Sequence, residues 1–169
     1  AAEEPVPPVG VTQIIMADRN LASLPTPPGA DDPGWMRVSL PDHHPVARDE
    51  IAIAWYRLRA DMEPDRYRLW SLYLRRPWTT ASVWVNGALV DDAGTERRPL
   101  PFYVSDLNFV IPAGLVHKGS NEILVRSVRE RSLTYLGTVW LGDSAQLIAF
   151  KARTSLYTQT YVRVIIVVI

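Results

Sequence analysis

The sequence predicts an all-β protein, two antiparallel sheets packed face to face as a jelly-roll sandwich. Three observations predict it. About eight short apolar segments recur at the spacing typical of sandwiches and barrels. Proline, glycine and one Asn-Gly pair punctuate them. No long amphipathic helical pattern competes with them before residue 145.

The elements follow in order. Seven of the fourteen prolines lie within residues 1–34. Proline lacks an N–H and cannot serve a central strand, so this stretch reads as an extended lead-in with one short regular piece, Val11 to Met16. Trp35 to Leu40 is a strand after Pro33-Gly34, and Pro41-Asp42-His43-His44-Pro45 a loop. Ile51 to Met62 is the strongest strand. Ala52, Ala54, Tyr56, Leu58, Ala60 and Met62 share one face by the two-residue period, with Arg57 and Arg59 on the other. Tyr67 to Leu74 follows, with Trp70, Leu72 and Leu74 on one face. Ala81 to Val85 and Ala88 to Val90 flank Asn86-Gly87, the strongest short hairpin signal, since both residues tolerate positive φ. Leu107 to Ile111, Asn121 to Val128 and Thr138 to Leu141 complete the set. Leu147 to Tyr161 has helical spacing, with Leu147, Phe150, Thr154 and Tyr157 on one face.

Composition narrows the function. Eighteen basic residues balance eighteen acidic ones, so the basic excess of a nucleic-acid binder is missing. Cysteine is absent, which excludes disulfides, thiol catalysis and thiolate metal sites. Sixteen of the basic residues are Arg, only Lys118 and Lys151 being Lys.

The two ends carry different signals. Ala1-Ala2-Glu3-Glu4 fits the small-residue end left by signal-peptide cleavage, and equally an arbitrary starting point. Val164 to Ile169 has no polar side chain. As a helix these six residues rise about 9 Å, against roughly 30 Å of hydrocarbon, so they are not a span by themselves. A buried or edge strand is the alternative, since Val and Ile favour strands. The expectation is entry into a membrane helix, because a bare Ile-Val-Val-Ile edge invites aggregation.

Three segments in order carry a family resemblance: Ala54-Trp55-Tyr56-Arg57-Leu58, Ala81-Ser82-Val83-Trp84-Val85-Asn86-Gly87, and Ile111-Pro112-Ala113-Gly114-Leu115 with Lys118-Gly119-Ser120-Asn121-Glu122-Ile123-Leu124-Val125. Together they resemble the galactose-binding-like jelly roll, as in the sugar-binding-like domain at the front of β-galactosidase and β-glucuronidase family enzymes. Leu69 to Arg76, and Val139-Trp140-Leu141-Gly142, resemble more closely the periplasmic N-terminal domain of bacterial transmembrane sensor histidine kinases and diguanylate cyclases. That resemblance implies a jelly roll over residues 35–145, a lead-in over 1–34 packing on it, and a juxtamembrane segment over 146–169. It implies a non-catalytic sensing domain at the periplasmic face of the inner membrane, with a histidine kinase or cyclase as output. The alternative is a carbohydrate-binding module of a secreted glycoside hydrolase. Most of the signature is strand and turn chemistry, and scaffold does not specify function.

Candidate chemistry is sparse. The sequence has no Gly-x-Ser-x-Gly elbow and no phosphate-binding glycine loop. His43-His44 point apart in an extended chain and make a poor ligand pair, so no metal or other cofactor is expected. Asp91-Asp92 read as turn residues. Trp55 and Trp70 read as core. Sugars stack on Trp and Tyr while Arg fixes hydroxyls or anions, so the rim loops supply the candidate ligand-binding residues: Arg75, Arg76, Trp78, Arg97, Arg98, Tyr103, Arg129 and Tyr135. Trp84 sits on the face opposite Val83 and Val85. The ligand expected is a small molecule such as a sugar or an organic anion, and the chain is a candidate homodimer.

Overall fold

The computed structural model describes residues 6–45, 51–65, 67–75, 80–92, 106–130 and 133–153, with the backbone alone at 51, 52, 129, 130, 133 and 134. Among the described residues twelve strands run in chain order: β1 Val11–Ile14, β2 Met16–Asn20, β3 Met36–Ser39, β4 Asp42–Pro45, β5 Ile51–Met62, β6 Trp70–Arg75, β7 Thr80–Val85, β8 Ala88–Asp92, β9 Leu107–Ile111, β10 Gly119–Glu130, β11 Leu133–Leu136 and β12 Thr138–Asp143. Among the described residues one α-helix, α1, covers 144–153 and follows β12 without a linker, and a short 3-10 turn spans Ala113–Leu115.

The strands form an antiparallel β sandwich. One sheet has the order β3-β2-β5-β10-β7-β8, the other β1-β12-β6-β9, and β11 pairs with β4 beside them. The chain crosses between the two sheets at β1–β2, β5–β6, β6–β7, β8–β9 and β9–β10, the alternation of a jelly roll. The period-two reading of β5 holds: Ala54, Tyr56, Leu58 and Met62 face inward. They meet Val83, Val85, Ile123 and Val125 of their own sheet and Leu72, Leu74, Phe109, Ile111, Val139 and Leu141 of the other. Non-polar side chains from both inner faces thus make one core.

The hairpin is where the sequence placed it. Asn86 and Gly87 have φ of 50° and 85°. Asn86 also ties the turn to the start of β10. Its Nδ2 donates to Asn121 Oδ1 at 2.8 Å and to Leu115 O at 2.7 Å, and its Oδ1 accepts from Glu122 N at 3.0 Å. Asn121, 1% exposed, accepts from His117 N and donates to His117 O and Gly119 O. The Asn residues of the two strongest motifs are therefore one hydrogen-bonded hub.

Three expectations need correction. The lead-in holds two strands, not one piece: β1 lies beside β12 in one sheet, and β2 sits between β3 and β5 in the other. Asp42 to Pro45 is strand β4, not a loop, because β11 pairs with it and Asp42 is buried against Arg19 (2.8 Å) and Tyr56 OH (2.9 Å). Asp91 and Asp92 close β8 rather than a turn, with Asp92 accepting from Ser82 Oγ at 2.7 Å. Trp55 is fully buried, as its sequence reading has it, and its side chain lies on the outer face of the six-stranded sheet.

Helix α1 starts three residues earlier than its spacing suggests, because Asp143 Oδ1 accepts from Gln146 N and so caps its first turn. Leu147 and Phe150 bury against Tyr73, Trp140 and Val11 on the outer face of the four-stranded sheet, with Phe150 edge-on to Trp140 at 5.2 Å. Burying those two side chains contributes roughly 1.5–3 kcal/mol each. Lys151 Nζ donates to Asp106 O at 3.1 Å, while Tyr73 OH donates to the Asp106 carboxylate. Two polar groups sit on the same face. Ser71 Oγ and Trp140 Nε1 are buried there without a hydrogen-bond partner, at a cost of about 1–3 kcal/mol each. Gly142 lies in the same face, and a Cβ on it would stand 2.5 Å from Gly10 O. Thr154, Tyr157 and residues 154–169 lie outside the described residues. No helix among the described residues is long and apolar enough to cross a membrane.

Candidate functional site

The residues with the most chemistry converge on the outer face of the six-stranded sheet. Register places them in two rows. Arg37, Asp18, Arg57, Leu124, Trp84 and Leu89 form one, and Asn20, Trp55, Arg126, Ser82 and Asp92 the other.

Asp18 gathers three guanidinium groups, with Arg57 at 3.2 Å, Arg37 at 3.7 Å and Arg59 at 4.0 Å. The Arg57 side chain is buried, whereas those of Arg37 and Arg59 are 64% and 58% exposed and keep their heads in water. Arg57 also lies 4.3 Å over the Trp35 ring and donates to Ala30 O at 2.9 Å. Trp35 Nε1 donates to Gly29 O, Trp55 Nε1 to Leu24 O, and Asn20 Nδ2 to Asp32 Oδ1. Residues 21–35 are thus strapped across β2 and β5 by the polar ends of this face.

On the other side of β5 the face is built differently. The strands β5 and β7 are separated by β10, so their backbones lie about 9.6 Å apart at the usual strand spacing. The Trp55 and Trp84 rings nevertheless stand 5.0 Å apart, tilted at 47°. Both indoles therefore lean inward over β10, between Leu124 and Arg126. That roof explains why Leu124 and Arg126 are 6% and 8% exposed on an outward face. The Arg126 guanidinium lies 5.9 Å from the Trp55 ring. Trp84 stays half-buried beside exposed Leu89 and Asp92. This end presents an aromatic ring with a carboxylate nearby, the combination that stacks on a sugar and accepts from its hydroxyls.

The sequence-predicted site residues fare unevenly. Arg75 closes β6, half-buried and opposite Thr138. Tyr135 lies in β11, its ring 4.6 Å from that of His43 and its carbonyl accepting from Ser127 Oγ. Arg129 is a backbone position in β10 opposite Ala52. Arg76, Trp78, Arg97, Arg98 and Tyr103 lie outside the described residues. Arg75 and Tyr135 lie on other strands than those of the Trp–Arg face. Reading the rim loops for Arg beside aromatics missed Arg37, Arg57, Arg59 and Arg126. Their signal was present: Arg57 and Arg59 alternate with apolar residues along β5, which marks an Arg-bearing outer face. Among the described residues Asp42 is the buried carboxylate, and both its oxygens are held by Arg19 and one also by Tyr56. No group of three potential metal ligands comes together among the described residues.

No family model and no curated protein matches the sequence. Solved structures do match the fold. A glycosyl hydrolase family 2 member from Bacteroides cellulosilyticus superposes with a TM-score of 0.58 at 15% identity, over 80% of this chain and 20% of that one. A β-glucuronidase from an uncultured Clostridium sp. gives 0.55 at 11% identity, over 82% and 30%. The β-glucuronidase of Ruminococcus gnavus in complex with D-glucuronic acid gives 0.54 at 12%, over 83% and 31%. The chain spans between a fifth and a third of the length of these enzymes. At such identity the likeness is one of fold, an antiparallel β sandwich common to all of them.

Proposed function

We propose that this domain is a non-catalytic ligand-sensing module, the periplasmic head of a membrane-anchored bacterial signalling protein with a kinase or cyclase output. The observation that carries the reading is the attachment of α1. The helix leaves β12 with no intervening loop and is packed on the four-stranded sheet through Leu147 and Phe150. A shift in the sandwich therefore moves the helix that leads to the apolar Val164–Ile169 segment, the kind of small displacement that signalling domains transmit. The outer Trp–Arg face supports ligand recognition, through stacking at Trp84 and the exposed guanidinium groups of Arg37 and Arg59. The carbohydrate-binding module of a glycoside hydrolase is the second reading, favoured by the shared sandwich fold.

Two measurements test the proposal. In a thermal-shift screen with neutral sugars, uronic acids and small organic anions, one class raises the melting temperature, since a ligand selective for the folded state stabilises it. In the membrane-anchored protein, a Gly-Ser insertion after Arg153 abolishes ligand-dependent output and leaves binding intact. Unchanged output with the insertion overturns the sensing reading, and a screen in which neither sugars nor anions shift the melting temperature overturns ligand recognition.

A further inference from the structure

We propose that α1 is a releasable latch, poised between a docked and an undocked state on the four-stranded sheet, and that Ser71 and Trp140 set the balance. The row Gln13, Trp140, Tyr73, Asn108 and the row Val11, Gly142, Ser71, Val110 make up the outer face of that sheet. Leu147 and Phe150 dock on it beside Trp140 and Tyr73. Two polar contacts hold the docked state, Ser144 N to Leu69 O at 2.7 Å and Lys151 Nζ to Asp106 O at 3.1 Å.

The opposing side is unusual for a settled interface. The Ser71 hydroxyl and the Trp140 indole N–H are both buried on this face, and neither has a hydrogen-bond partner. Buried polar groups are nearly always paired, and an orphan carries the full cost of its lost hydration. Undocking α1 returns both groups to water. The apolar gain from two side chains and the penalty from two orphan groups are of the same order, so the helix is held weakly. The sandwich is not: its central β5–β10 ladder is twelve residues long and lies over the main core. Local opening of α1 without unfolding of the sandwich follows from that contrast. Asp106 ties the latch to the start of β9, since it accepts from Tyr73 OH and from Lys151 at once. A shift at that end of the sandwich is thereby passed to the helix.

The latch deepens the sensing reading and rests on it for its purpose. Its test reads docking alone, so either can fail while the other stands. Hydrogen exchange is followed on the whole chain, comparing amides of residues 148–153 with Leu58, Ile123 and Val125 of the central ladder. In the native protein the helix amides exchange well ahead of the ladder, by an opening that denaturant hardly accelerates. Ser71→Ala removes one orphan and slows exchange of the helix amides about 5- to 30-fold, with the ladder unchanged. Phe150→Ala, which weakens docking, speeds the helix amides and also spares the ladder. The proposal is overturned if helix and ladder exchange together with the same denaturant dependence. It is equally overturned if Ser71→Ala leaves the helix amides unmoved, or if Phe150→Ala opens the ladder as well.

Discussion

Replacing Asn121 with Asp tests the hub that joins the two strongest motifs. The change keeps the size of the side chain and the Oδ1 acceptor for Asn86 Nδ2 and His117 N. It turns Nδ2, which donates to His117 O at 2.8 Å and Gly119 O at 2.7 Å, into an oxygen facing two carbonyl oxygens. Two donated bonds are lost, at about 1 kcal/mol net each, and a carboxylate is buried at a site 1% exposed with no cation among its hydrogen-bond partners. The expected loss is about 3–5 kcal/mol at neutral pH, a large part of the roughly 5–15 kcal/mol that holds a domain of this size. The sign of its pH dependence follows from burial. The new carboxyl is held above its unfolded value of about 3.9, so the protonated form is the one the fold accepts. The variant is therefore least destabilised at and below that value and loses stability as pH rises through the raised folded pKa. Urea unfolding followed by tryptophan fluorescence, from about pH 4 to about pH 8, measures it. Asn121→Ala, which introduces no charge, gives a loss that is flat across the same range. A deficit below about 1 kcal/mol at pH 8, or one as flat as that of Ala, refutes the reasoning.

Three further outcomes are expected. Gly142→Ala forces a Cβ to within 2.5 Å of Gly10 O, backbone against side chain with no flexible end to yield, so β1 must draw away from β12; thermal unfolding shows a loss of about 1–3 kcal/mol. Asp42→Asn leaves the buried Arg19 guanidinium without its carboxylate, costs about 3 kcal/mol in chemical denaturation and loosens the β4–β11 pair first. Arg57→Ala strips the Trp35 stack and the Ala30 anchor, so limited proteolysis cuts within residues 21–35 sooner while the central ladder keeps its protection.

Apolar alternation made much of the fold legible. The bounds of β5 and β9 are those the pattern gives, and the Asn86-Gly87 turn needed no tertiary information, because its positive φ values are a local matter. The strands that escaped notice are β2, β4 and β11. In β2, Met-Ala-Asp-Arg-Asn carries three polar side chains in five residues, and Asp-His-His-Pro in β4 looks like loop chemistry. Each is a strand because its polar groups find partners far away in sequence: Arg19 meets Asp42 across 23 residues, and Asp18 meets Arg57 across 39. The pairing of arginines with aromatic rings was hidden for a related reason. Arg beside an aromatic in sequence marks a loop composition, whereas Trp35 over Arg57 and Trp55 against Trp84 are neighbours only once the strands are ordered.

What the sequence by itself determined is the set of apolar strands and the face their residues take, since a two-residue period is a property of the extended backbone. Which polar groups meet was decided by tertiary structure alone. Sheet order and register place Arg126 between Trp55 and Ser82 and bring three arginines to Asp18. They also leave Ser71 Oγ and Trp140 Nε1 unpaired on the outer face of the four-stranded sheet. A period fixes a direction for a side chain, but a partner requires a second backbone at a set distance, and only the packed sandwich supplies it.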